Sequence, residues 1–469
     1  MTPLLEEPPE AFAGALLGRG RRRACFVRDP GSGRLEPSEP WLAEAAEALR
    51  ALADWRDHEA LFLEVGPRSG CLFAAALHST VRGQALGGVR HAPYARTLDV
   101  LRDALRLSLG MTRKSALAGL WWGGGKGVIA QACGRDADEP AFRRTLYREW
   151  GAFVSGLRGC YVTAEDAGTT PADMGHVFEA TRHATCVPPD VGGSGNPSLH
   201  TALGVVCAME AALDALGRGT LAGKRIALQG AGQVGAALAE LLLEKGVARL
   251  CVAETSAECR QALEDRLGCE RLQVVAARPG EPGILAEPCD VLVPAALGGV
   301  LGPKTIPHVQ APLVCGPANN QLEDEARDGR ALHARGSVLV PEIIANRMGV
   351  VHCANEQYGS LPRDPAVERH LRPDWEHAIG PTTRRVLARA AELGIPPVEA
   401  ANRLADALAA TPHPLWPGRG RALVAALVAE RWHAAGALEA DQAAGLRPMQ
   451  TTETPSGRSA RASHHASRR

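Results

Sequence analysis

KRIALQGAGQVGAALAELLLEKG, residues 224–246, decides the fold class. An apolar strand pattern passes through a glycine turn into a helical pattern, with Gly230, Gly232 and Gly235 in G-x-G-x-x-G register. In that setting the first glycine permits the tight turn, the second lets a pyrophosphate approach the backbone, and the third packs helix on strand. Gln233 and Val234 then open a helix whose N-terminus faces negative charge. The next strand pattern, RLCVA, ends in Glu254, where a carboxylate holds ribose hydroxyls and repels a 2′-phosphate. NAD is therefore expected rather than NADP. Strand-like pieces at Leu272 to Val275, Asp290 to Val293 and Leu313 to Cys315 alternate with polar or helical segments. That alternation predicts a doubly wound parallel sheet from about Leu199 to Val340.

Upstream, GMTRKSALAGLWWGGGKGV, residues 110–128, carries two lysines around a run of small residues. Leu98, Leu101, Leu105 and Leu109 recur at helical spacing, so a helix ends near Lys114 and delivers it to a glycine loop at Gly123–Gly125. A lysine held beside another cation and away from water loses proton affinity, which makes Lys126 a candidate general base. A lone GGGK is more often a turn followed by a solvated lysine, so the reading leans on its surroundings. CLFAAALHST and QALGGVR read as short strands, with Gly87 and Gly88 at a bend. A helix patterned on Phe142, Leu146, Trp150, Phe153 and Leu157 leads into the strand-like CYVT and then Glu165-Asp166. Acidic residues at the carboxyl end of a strand lie where α/β proteins bind ligands, although such a pair is as often only a turn. SGNP at 194–197 marks the domain boundary, with Asn196 as helix cap and Pro197 in the first position.

The expected organisation is an N-terminal extension over residues 1–60, a substrate-binding and oligomerisation α/β domain over 61–195, and a Rossmann domain over 196–360. C-terminal helices over 361–447 pack back across both domains, and a disordered Ser- and Arg-rich tail occupies 448–469. Residues 1–40, rich in Pro, Gly and Arg, read as loosely attached, and Ser38 as the cap of a following arm-like helix. Lys+Arg and Asp+Glu balance at 52 each, so no overall field draws nucleic acid or an anionic membrane. The 12 cysteines include no CxxC pair and no metal-ligand spacing, which suits reduced thiols in the cytoplasm and no metal site. His464-His465 reads as part of the solvated tail. No apolar run reaches membrane-spanning length, and no signal-peptide pattern opens the chain.

Seven segments in order resemble one family, the Glu/Leu/Phe/Val amino-acid dehydrogenases, and look most like its leucine-acting branch. They are ALGGVR, GMTRKSALAGLWWGGGKGVI, YVTAEDAGTT, SGNPSLHTALGV, GAGQVG, VPAALGGVL and GPANNQL, between about Cys71 and Tyr358. The resemblance implies reversible NAD-dependent oxidative deamination of an L-amino acid, in a homo-oligomer. It implies that Lys114 binds the substrate carboxylate, that Lys126 activates water and that Asp166 shuttles protons. Gly87 and Gly88 are implied along the substrate, and Thr201, Asn319 and Asn346 near the nicotinamide and its ribose. The glutamate enzymes place a lysine just before the Gly-Gly pair, where this chain has Leu86. With Ala164, Val350 and Cys353 the matching pocket is apolar or nearly so, which points to leucine, isoleucine or valine.

The match breaks after Asn346. The family pattern there is Ala-Gly-Gly, whereas this chain has Arg347-Met348-Gly349. Three placements are compatible with the sequence: both side chains turned away from the site, Arg347 recruiting an acidic substrate group, or a blocked site in a non-catalytic binding protein. Ala132-Cys133 is a second, more peripheral departure.

Overall fold

The computed structural model describes residues 3–131, 134, 136–278, 283–296 and 298–435. The tail from 448, with His464-His465, and Ala132-Cys133 lie outside the described residues.

Two sheets organise the chain. The first has seven strands: β1 (Arg23–Arg28), β2 (Leu35–Pro37), β3 (Ala60–Val65), β4 (Leu72–Ser79), β5 (Ala85–Ala92), β6 (Gly123–Ala130) and β7 (Tyr161–Glu165), in the order β2-β1-β3-β4-β6-β5-β7. β1 to β4 pair antiparallel, β6 runs antiparallel to β4, and β5 lies parallel to both β6 and β7. Successive side chains point to opposite faces. Ala74, Ala76 and Val128 therefore meet Leu98, Leu101 and Leu105 of the helix Thr97–Leu117 on one face. Phe73, Ala75 and Ile129 meet Trp150 and Phe153 of the helix Pro140–Gly156 on the other.

The glycines correct two expectations. Gly123–Gly125 form no loop but open β6, and Gly87-Gly88 make no bend but lie inside β5. A Cβ on Gly124 would stand 2.1 Å from the backbone nitrogen of Thr112, and one on Gly87 would stand 1.8 Å from the carbonyl oxygen of Gly125. The missing side chains let the helix and neighbouring strands close in, so the run serves packing rather than turning.

Residues 3–40 are also an integral part of this domain. Helices Pro3–Glu6 and Pro9–Leu17 bury Leu5, Phe12 and Leu16 against the same core as the Thr97–Leu117 helix, and β1 pairs with β3. Leu5, Phe12 and Leu16 point inward, a pattern hidden among the Pro, Gly and Arg. The arginines are used too: Arg21 pairs with Glu39 at 2.7 Å, Arg23 with Glu64 at 2.7 Å, and Arg19 lies over the Trp41 ring. Ser38 does not cap a helix; its Oγ accepts from the Cys25 amide.

The second sheet contains β8 (Arg225–Gln229), β9 (Arg249–Glu254), β10 (Leu272–Ala276), β11 (Val291–Pro294), β12 (Leu313–Val314) and β13 (Val338–Leu339). It is parallel throughout, in the order β10-β9-β8-β11-β12-β13, so the strand order reverses between β8 and β11 and opens a crevice at their carboxyl ends. The helix Ser198–Ala215 follows the boundary segment; Asn196 accepts from the Ser198 amide, one position outside the Pro197 cap.

C-terminal helices tie the two sheets together. Ile379–Leu393 packs on Ser198–Ala215, while Pro397–Ala409 reaches the first domain, where Arg113 makes a two-pronged pair with Asp406 at 2.9 and 3.0 Å. Trp432, in the last described helix, packs against Phe62 and Phe153. Among the described residues no helix is long and apolar enough to cross a membrane.

Replacing Gly124 with Ala should destabilise the protein by about 1–3 kcal/mol, since the new methyl group meets helix backbone that cannot step aside. Gly14→Ala, on a helix where a Cβ meets nothing within 4 Å, should instead stabilise by about 0.5–1 kcal/mol. Denaturant unfolding of the two variants checks both signs.

Candidate active site

A cleft between the two sheets encloses about 450 Å³. From the first domain it is lined by Leu86, Gly87, Gly88, Lys114, Lys126, Ala164 and Asp166, and from the second by Thr201, Gly232, Gln233, Val234, Asn319 and Asn346. Val350 and Cys353, on the helix Met348–Asn355, close one wall. Gly230, Gly235 and Glu254 stand behind this lining and shape the glycine turn.

Lys126 lies mid-strand on β6, and its Nζ stands 2.7 Å from Asp166 Oδ2. Asp166 follows the last residue of β7. Its amide donates to Thr169 Oγ1 at 2.8 Å, and that hydroxyl donates back to the Asp166 carbonyl at 2.7 Å. Gly168, at φ +82°, completes the turn with its Cα face pressed on the His91 carbonyl, leaving no room for a side chain. The turn holds the carboxylate facing the cleft.

Sequence reasoning did not single out Arg90, which donates from Nε to the same Asp166 oxygen at 3.2 Å. Arg90 is also paired with Asp103 at 2.9 Å, and Tyr94 donates to Asp103 at 2.7 Å. A signal was present: Arg90 is two residues after Gly88 on β5, hence on the same face of the strand. Burial works to raise the Asp166 pKa, but Lys126 and Arg90 outweigh it and hold the carboxyl down at about 2. Burial lowers the Lys126 pKa, Asp166 opposes the shift, and Arg90 adds to it.

Lys114, in the last turn of its helix, donates to Asn319 Oδ1 at 3.3 Å across the cleft. Burial, with Lys126 adding to it and Glu342 opposing it, brings its pKa down to about 8. Asn346 donates to the same Asn319 oxygen at 2.9 Å and to the Pro317 carbonyl at 2.8 Å, while its own Oδ1 is buried with no partner. Thr201 donates to the Pro197 carbonyl at 3.0 Å.

Two further carboxylates line the cleft. Glu165 accepts from Asn196 at 3.1 Å and leaves Oε2 buried and unpartnered; burial, then Asp166 and Asp173, push its pKa up to about 7. Glu342 accepts from the Asn320 amide, and burial raises its pKa.

The glycine turn leaves its backbone uncovered on the side of the crevice. Gly230 adopts φ +96°, a Cβ on Gly235 would strike the Gly230 carbonyl at 2.1 Å, and a Cβ on Gly232 would meet nothing within 4 Å. The helix Gln233–Glu244 has no side-chain cap, so its first amides face the crevice. Glu254, closing β9, accepts from the Ala231 amide at 2.7 Å. Asn196 donates to Gln233, linking the boundary segment to this turn.

Arg347 and Met348 are both fully buried and turned away from the cleft. Arg347 donates to the carbonyls of Leu117 and His377 and to Thr382 Oγ1, bridging the Lys114 helix and the C-terminal helices. Burial pulls its pKa down to about 9, so it remains a cation at neutral pH. Met348 packs where Gly204 leaves space. Recruitment of an acidic substrate by Arg347 is thereby excluded, and neither side chain blocks the site.

Residues 192–410 match the family model for Glutamate/Leucine/Phenylalanine/Valine dehydrogenase, and residues 74–183 match that family's dimerisation domain. The leucine dehydrogenase of Geobacillus stearothermophilus is 38% identical over 75% of this chain and 90% of its own length. The valine dehydrogenase of Streptomyces albus is 38% identical over 77% and 95%. The L-tryptophan dehydrogenase of Nostoc punctiforme superposes with a TM-score of 0.60 at 30% identity, covering 78% of this chain and 98% of that one. With the fold, the paired lysines and the glycine turn in one cleft, the chain belongs to the Glu/Leu/Phe/Val dehydrogenase family and is an amino-acid dehydrogenase.

Proposed function

We propose that the protein catalyses reversible NAD-dependent oxidative deamination of a branched-chain L-amino acid (leucine, isoleucine or valine) to the 2-oxo acid and ammonia. The carrying observation is the Lys126–Asp166 pair, 2.7 Å apart, in a cleft whose far wall is Leu86, Ala164, Val350 and Cys353. An acidic side chain among those residues has no cation to meet, and Glu165 and Glu342 already line the cleft.

NAD, when bound, would supply the acceptor for a hydride from the substrate Cα. Lys114 holds the substrate carboxylate through its ammonium. Lys126 Nζ, as the neutral amine, removes a proton from the water that adds at that carbon. Asp166, ionised throughout the working range, carries protons between the departing nitrogen and water. Arg90 keeps Asp166 ionised and makes a proton on Lys126 less favourable. Thr201, Asn319 and Asn346 form the polar wall suited to the nicotinamide and its ribose, and Gly87 and Gly88 leave backbone bare along the substrate. Gly230, Gly232, Gln233, Val234 and Gly235 receive the pyrophosphate. Glu254 favours NAD by repelling a 2′-phosphate. The dimerisation-domain match supports a homo-oligomer in which the first domain makes the contacts.

NADH formation should be seen with leucine, isoleucine and valine and be weak or absent with glutamate and aspartate. Lys126→Ala and Asp166→Asn should each lower kcat by about 100- to 10,000-fold. Turnover of glutamate in preference to leucine would overturn the pocket assignment.

Lys114 binds a carboxylate only while protonated, so affinity for a competitive aliphatic carboxylate should hold below pH about 8 and decline above it. The decline approaches about tenfold per pH unit for a single proton. Lys114→Arg should flatten that limb of the inhibition-constant profile. Glu254→Ser should narrow the NAD over NADP ratio of kcat/KM by roughly tenfold, or about 1.4 kcal/mol.

A further inference from the structure

The chemistry proposed above uses none of the sulfur in this chain, yet two thiols meet at the wall of the substrate cleft. Cys353 Sγ lies 2.7 Å from Cys186 Sγ, although the two residues are 167 positions apart. Cys353, on the helix Met348–Asn355, is 5% exposed and lines the cleft; Cys186 is fully buried behind it.

The backbone delivers Cys186 to this place at a cost. Its φ is +62°, in the left-handed region that glycine occupies freely and a side-chain-bearing residue enters only with backbone strain. Glu356 then pins the segment from the other side. Its carboxylate accepts from the amides of Cys186 at 2.7 Å, Val187 at 3.3 Å and Ser194 at 3.0 Å. Glu356 is three residues beyond Cys353, so one short stretch of chain fixes both partners of the sulfur contact.

We propose that Cys186 and Cys353 form an oxidation site that a small peroxide closes to a disulfide, altering the wall that meets the substrate side chain. Hydrogen peroxide entering the cleft reaches Cys353 first. The sulfur attacks one peroxide oxygen, the O–O bond breaks, and the thiol becomes a sulfenic acid with release of water. Cys186 sulfur then attacks Cys353 sulfur, the S–O bond breaks, and a second water leaves. Two thiols are oxidised, one peroxide is reduced, and both thiol protons depart in water.

From 2.7 Å the sulfurs need to approach only to the disulfide distance of about 2.05 Å. The hydrogen bond with Cys186 and burial both hold the Cys353 pKa well above its ordinary value. A thiol so held reacts slowly. The site therefore responds to sustained exposure rather than to a brief pulse, and it reverses with a dithiol reductant.

The test is peptide mapping of the full-length protein after hydrogen peroxide treatment, with remaining thiols alkylated under non-reducing conditions. The expected result is a cross-linked peptide containing Cys186 and Cys353, with loss of two hydrogens, restored by dithiothreitol. Cys186→Gly, which suits the left-handed backbone and should fold, must lack it, as must Cys353→Ser. In the oxidised protein the KM for the amino acid should shift by severalfold, while that for NAD stays constant. Cross-links confined to other cysteines, or Cys353 passing to sulfinic acid without linking, would overturn the site. A linked protein with unchanged amino-acid KM would overturn its effect on the substrate wall. The mass measurement requires no turnover, so it stands apart from the choice of substrate.

Discussion

Lys126 Nζ and the Asp166 carboxylate, held 2.7 Å apart at the base of a cleft, are what the surrounding structure must accommodate. Taking groups of this kind out of water in their charged forms costs several kcal/mol each, and mutual attraction offsets this only with good geometry and further partners. Arg90 supplies one partner, and Asp103 and Tyr94 hold Arg90 in turn. The pair also reaches across β5, the strand between β6 and β7. That reach requires the sheet to be bare where Gly88 stands. A Cβ on Gly88 would meet the Glu165 carbonyl at 2.4 Å and Asp166 Cβ at 2.9 Å. The same absence of side chains that lets the strands pack lets the charges meet.

Arg347 solves a different problem. The helix carrying Lys114 ends at Leu117, and its last carbonyls need donors. Arg347, reaching from the second domain, donates to one of them and to the His377 carbonyl, so a single cation joins three parts of the chain. Arg113 with Asp406 makes a second tie between the Lys114 helix and the C-terminal helices. These ties set where Lys114 stands relative to Asn319, and so the width of the cleft.

Part of the site was legible because Asp166 follows a strand end and Gly232 sits in a glycine turn, where local spacing and topology dictate position, and because Lys114 lies in the last turn of a helix whose leucines recur at regular spacing. Lys114, Lys126, Asp166, Thr201, Asn319 and Asn346 all line one cleft, as their motifs implied. Arg90 escaped notice because an arginine two places after a Gly-Gly pair is informative only once strand alternation places it beside Asp166. The first forty residues misled for a related reason. Leu5, Phe12 and Leu16 are too sparse to announce a core, and become one only when β4, β6 and the Thr97–Leu117 helix supply the other side. The glycine run misled in the opposite sense: Gly123–Gly125 looks like a loop until a helix backbone is found pressed against it.

By itself, the sequence determined the α/β class, the doubly wound sheet, the order of the motifs and the chemical types at the site, because hydrophobic period and glycine spacing act within a few residues. Only the tertiary structure decided that Arg347 turns from the cleft, that Glu165 is left with an unpartnered oxygen, and that Cys186 meets Cys353. Each of those depends on a contact between segments far apart in the chain. Burial and charge at such contacts are properties of the neighbours, and no local pattern encodes them.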